Sequence, residues 1–132
     1  MKYALRKKAK KRQWDPRMLN GHPDVVSSLR PVIMRAVARN LDVTSTTDGR
    51  HSKNSYHYVK RAVDFGSNKG FRPWALLKLL AFQRYEHTYH GREYAELYGP
   101  SNRANRKYGN PVRLREGSSL ETSHDNHVHI AI

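Results

Sequence analysis

Cysteine is absent from the 132 residues of this chain. Its absence excludes disulfide scaffolds, thiol enzymes, iron–sulfur centres and cysteine-type zinc fingers. Long apolar runs are missing as well, and no stretch approaches the ~18 residues that a membrane span requires. The basic start, Met1 to Arg12, has no apolar segment behind it, so it does not read as a secretory signal. Acidic residues are scarce, with 11 Asp+Glu against 25 Lys+Arg and a formal net charge of +14. A surplus of that size implies a polyanionic partner: nucleic acid, anionic lipid or a bacterial cell-wall polymer. The length is that of one domain, long enough to bury roughly two thirds of its unfolded surface without covalent staples.

Two parts are expected. Residues 1–22 form a basic arm in which Lys2, Arg6, Lys7, Lys8, Lys10, Lys11 and Arg12 place seven cations in twelve positions. Residues 23–132 form the folded domain. After the turn signal Asn20-Gly21-His22-Pro23, the apolar stripe Leu29, Val32, Ile33, Ala36, Val37 predicts a helix. Ser27 or Ser28 is expected to cap it, Pro31 to sit in its first turn and Asn40 to close it. Strands are predicted over 42–47 and 60–65, with a polar loop between them. Pro73 starts a second helix whose stripe is Leu76, Leu77, Leu80, Ala81 and Arg84, widened by Leu79 and Phe82. Trp14, Phe65, Trp74 and the Leu76 to Leu80 cluster are expected in the core. A short helix is expected near 93–98, then a loop over 101–117, then a terminal strand over 127–132. This order is α+β.

Histidine is the unusual abundance, eight in 132 residues. His124, His127 and His129 lie within six positions, and on a strand His127 and His129 share a face. Upstream, Ser55-x-His57-x4-Ala62-x-Asp64 sets an imidazole and a carboxylate seven residues apart across a loop-to-strand junction. A catalytic zinc takes three protein ligands of these types and keeps a fourth position for water. His57, Asp64 and His129 supply that set, with His127 expected outside it.

The stretch from Ser55 to Asp64 resembles the S-x-H-x-x-G-x-A-x-D motif of the LAS metallopeptidases, a group that includes D-alanyl-D-alanine peptidases, murein endopeptidases and phage endolysins, with hedgehog domains as relatives. The ending His124-Asp125-Asn126-His127-Val128-His129 is similar to the H-D-D-H-x-H signature of the murein endopeptidases. The helix leading into Val43-Thr44-Ser45-Thr46 also matches the family's order. The resemblance covers residues 23–132, least closely over 71–117. It implies a small antiparallel sheet flanked by helices, hedgehog and D-Ala-D-Ala peptidase-like. It implies one Zn2+ on His57, Asp64 and His129, with His127 as base or transition-state stabiliser and His124 as a further active-site histidine. Arg50 is a candidate clamp for an oxyanion or a carboxylate. The implied activity is zinc-dependent hydrolysis of an amide bond in peptidoglycan stem or cross-bridge peptides, by a monomeric phage or bacterial lysin. Such a protein would be made in the host cytoplasm and reach the wall by phage lysis or virion delivery, with the basic surface favouring an anionic wall polymer.

Two positions depart from the pattern. Lys60 stands where the motif has glycine, and Asn126 where the family carries an acid. Asn126 cannot accept a proton, so that role falls to His127 or His124. Two other readings follow: a zinc-holding but inert LAS-like structural or virion module, and a basic nucleic-acid-binding protein, which rests on charge alone.

Overall fold

The computed structural model describes residues 3–4, 13–14, 25–46, 53–66, 73–91, 94–109 and 124–132. The chain is α+β, with a four-stranded antiparallel sheet and three α-helices among those residues. Of the basic arm, two short strands are described, β1 (Tyr3–Ala4) and β2 (Gln13–Trp14), paired antiparallel with each other. The seven arm cations and the boundary at residues 22 and 23 lie outside the described residues.

The first helix, α1 (Arg30–Ala38), follows a 3-10 turn over Ser27–Leu29. Its predicted stripe is buried, and Pro31 sits in the first turn. Neither serine caps it: both are drawn into the 3-10 turn, which puts Leu29 at the cap position. Asn40 closes the helix in the left-handed region at φ 58°, a conformation asparagine tolerates better than most residues. The Leu41 N–H then returns to the Ala36 carbonyl at 3.1 Å.

The sheet contains β3 (Asp42–Ser45), β4 (Ala62–Gly66), β5 (Glu96–Tyr98) and β6 (Val128–Ala131), in spatial order β3-β4-β6-β5. Strand alternation separates two faces. Val43, Val63, Phe65, Leu97, Val128 and Ile130 join the core with α1 and with Leu79 and Phe82 of α2 (Pro73–His90). Phe65 meets Phe82 edge-on, ring centroids 5.3 Å apart. On the other face the register aligns Ser45, Asp64, His129 and Tyr98 in one row across all four strands.

The α2 face differs from expectation. Ala75, Leu79, Phe82, Gln83 and Glu86 point inward, whereas Trp74 is 41% and Leu77 66% exposed. The helix is apolar around most of its circumference near its start, so periodicity does not single out a face. Two polar residues decide it. Glu86 is fully buried because Arg35 of α1 grips it bidentately, Nε to Oε1 at 2.8 Å and one terminal nitrogen to Oε2 at 3.0 Å, while the Tyr94 hydroxyl donates to Oε2. Gln83 is fully buried because its amide donates to Asn105 Oδ1 at 2.7 Å.

Two further expectations are corrected. Residues 96–98 form β5 rather than helix, because Leu97 is wholly buried in the core beside β6. Within the expected loop over 101–117, Asn102–Tyr108 form α3, capped by Ser101 Oγ accepting from the Ala104 N–H at 3.1 Å. Asn105 on α3 accepts from the Gly99 N–H and donates to the Gly99 carbonyl, holding the end of β5. A Cβ at Gly99 would stand 2.2 Å from Gln83 Oε1, so a larger residue there would have to displace the buried Gln83 amide. No described helix is long and apolar enough to cross a membrane.

Candidate metal centre

The S-x-H segment folds as a capped turn. Ser55 Oγ accepts from the His57 N–H at 3.2 Å and starts a 3-10 turn over Tyr56–Val59. Lys60 ends the turn in the left-handed region, φ 66° and ψ 21°. Its N–H returns to the His57 carbonyl at 3.1 Å, and the Arg61 N–H to that of Tyr56 at 3.0 Å. This turn holds His57 against the sheet. His57 Nδ1–H donates to the Thr46 carbonyl at 2.5 Å, which leaves Nε2 as the atom facing Asp64 and His129.

Asp64 and His129 are direct cross-strand partners on β4 and β6. Antiparallel pairing therefore puts both side chains on one face at close range. Three atoms converge: His57 Nε2 to His129 Nδ1 at 3.2 Å, His57 Nε2 to Asp64 Oδ1 at 3.2 Å, and His129 Nδ1 to Asp64 Oδ1 at 2.8 Å. All three residues are buried and together can hold a metal ion. Ligand bonds of about 2.0–2.1 Å in a tetrahedral site imply ligand separations of about 3.3 Å. Two edges of the triangle agree closely with that value, and the third is shortened by a hydrogen bond.

The charges are strongly coupled. Burial disfavours the Asp64 carboxylate, yet its hydrogen bonds with His129 and His57 hold its pKa well below the usual range. Burial likewise pulls His129 down, but hydrogen bonds to Asp64 and Glu96 prevail and raise it to about 9. His129 thus carries a proton on each ring nitrogen near neutral pH, with Nδ1–H facing Asp64 and His57. A proton there does what a divalent cation can do for all three atoms at once.

Around this triad stand the other expected residues. His127, just before β6, has Nε2 4.0 Å from Asp64 Oδ2, and its Nδ1–H donates to Asn126 Oδ1 at 2.8 Å. The strand expected from residue 127 begins at Val128. His124 packs its ring 4.9 Å from that of His127 and 5.6 Å from that of His129. Arg50 lies outside the described residues. Sequence reasoning missed three contributors: the Thr46 carbonyl on His57, the Glu96 carboxylate on His129, and the Tyr98 ring stacked at 14° to the His129 ring. The row of side chains set by strand register would have revealed Tyr98, had β5 been recognised.

Lys60 explains the motif glycine. A left-handed residue costs a Cβ-bearing side chain about 1–2 kcal/mol, partly offset by the lower unfolded-state entropy of any non-glycine. Lys60→Gly is expected to stabilise the fold by about 0.5–1 kcal/mol, read as a higher urea midpoint at unchanged slope. A lower midpoint would show that the Lys60 side chain contributes more than its backbone costs.

Comparisons with protein families, with curated proteins and with solved structures found no match for this chain.

Proposed function

We propose that this chain is a zinc-dependent peptidase of the LAS type, hydrolysing an amide bond in peptidoglycan stem or cross-bridge peptides as a phage or bacterial cell-wall lysin. The observation that carries the reading is the convergence of His57 Nε2, Asp64 Oδ1 and His129 Nδ1 within 3.2 Å of one another. The hedgehog and D-Ala-D-Ala peptidase-like fold belongs to the same proposal, supported by the order α1, β3, capped turn, β4 and by the closing His-bearing strand.

Zinc at this position would polarise the scissile carbonyl and acidify the attacking water. The protein's own residues do the rest. Asp64 supplies negative charge, and His57 and His129 supply neutral nitrogen once His129 Nδ1 gives up its proton. In the proposed reaction His127 acts as a neutral imidazole: with Asn126 accepting from Nδ1–H, Nε2, 4.0 Å from Asp64 Oδ2, is the nitrogen that can take up a proton. In the proposed reaction Nε2 takes the proton of the attacking water and returns it to the leaving amine. Asn126 thereby serves the base without being one. His124 and Tyr98 wall the same side. The net charge of +14 favours residence on an anionic wall polymer.

A second reading keeps the metal and drops the reaction, as an inert LAS-like or virion module. The observation favouring it is that Asn126 stands exposed beside the site in place of an acid. The test is elemental analysis of protein purified without chelator, followed by mass spectrometry of muropeptides after digestion. About one zinc per chain with new peptide fragments is expected. Zinc without fragments would select the inert module. No zinc after reconstitution would overturn both and leave the basic polyanion-binding protein.

A further inference from the structure

Among the described residues, one acidic side chain outside the ligand set, Glu96, hydrogen-bonds to it. Glu96 stands on β5 opposite Ala131, in the register that places Tyr98 opposite His129. It therefore shares the site face with His129 and lies diagonal to it. Its cross-strand neighbour Ala131 carries only a methyl group, which leaves the longer Glu96 side chain room to lean toward His129. Glu96 Oε1 comes within 2.9 Å of His129 Nε2.

The chemistry of that contact has one direction. An ionised carboxylate only accepts, so the proton is on Nε2. Nδ1 is then the nitrogen turned toward Asp64 Oδ1 and His57 Nε2. The ring is held at its far end by Glu96 and across its face by Tyr98. His57 is secured by the same logic with a weaker partner, the neutral Thr46 carbonyl. The two imidazoles thus differ, one backed by a neutral acceptor and the other by a full negative charge. Asp64 and Glu96 are the two described carboxylates in hydrogen-bond contact with His129, together carrying the charge that balances a divalent cation.

We infer that Glu96 is a positioning residue of the metal centre, which keeps the proton on His129 Nε2 when Nδ1 gives its own up, aims Nδ1 at the ion and strengthens it as a ligand. This rests on the reading of His57, Asp64 and His129 as metal ligands. Partners of this kind typically change metal affinity by about 10–100-fold when removed.

The test is zinc titration of the full-length chain against a chromophoric chelator, with Glu96→Ala and Glu96→Gln beside wild type. Cobalt-loaded absorption spectra and the thermal midpoint of each metal-free protein are recorded alongside. Glu96→Ala is expected to weaken zinc by about 10–100-fold and to shift the cobalt spectrum. Glu96→Gln keeps an acceptor oxygen without the charge and is expected to recover part of the loss. Zinc affinity within twofold of wild type in both variants would overturn the inference while leaving the ligand set standing, as would an altered metal-free midpoint at unchanged affinity. Failure of the wild type itself to bind zinc would overturn the ligand reading beneath it.

Discussion

Arg35→Ala is expected to cost the fold about 3–5 kcal/mol, the range for removing one partner of a buried ion pair. The loss arises less from Arg35, whose side chain is 23% exposed, than from Glu86, which is fully enclosed. Without the guanidinium, the Tyr94 hydroxyl remains as the described donor to that carboxylate. The pair also joins α1 to α2 across the top of the core. For a chain of this length the midpoint should fall by about 10–20 °C, measured by thermal and urea unfolding of metal-free protein. The double variant Arg35→Met with Glu86→Leu is expected to recover much of that loss, because it removes the stranded charge along with its partner. A single-variant loss below about 1 kcal/mol would mean that the pair behaves like an exposed one.

The second large effect concerns the proposed metal. Zinc at about a thousand times its dissociation constant is expected to stabilise the metal-free protein by about 4 kcal/mol. That corresponds to about 15 °C in the midpoint for this length, reversed by chelator. In Asp64→Asn, an isosteric change that deletes the central charge, both the shift and any muropeptide cleavage are expected to vanish. The comparison matters because the chain carries eight histidines. An equal shift in Asp64→Asn would place the stabilising metal on other histidines.

The three proposed ligands were legible in the sequence because few residue types bind metal and because His57 and Asp64 belong to one local unit. Ser55 caps the turn, residue 60 ends it left-handed, and Asp64 follows on the strand. Each step is a short-range rule. Glu96 and Tyr98 obey no such rule. Their roles exist only because β5 lies beside β6, some thirty residues later, and the helix-compatible Ala95-Glu96-Leu97 gave no local hint of a strand. The α2 face was illegible for a related reason. Trp74, Leu77 and Leu80 outvote Gln83 and Glu86 in any hydrophobic count, yet the two polar residues go inside because Asn105 and Arg35 await them there. Asn105 likewise made 101–108 look like loop, although its amide is spent on Gly99 and α3 has Ser101 as its cap. Apolar patterning predicts burial well where partners are interchangeable and poorly where one specific hydrogen bond decides.

The placement of β6 has a consequence in time. It is the last of the four sheet strands along the chain, yet it occupies an inner position and brings His129 with it. During synthesis β4 and β5 emerge with no neighbour between them, and His57 and Asp64 wait without their partner. The proposed ligand triad therefore comes together only in a chain translated past residue 129, and a product ending earlier lacks both β6 in the sheet and the third of these side chains.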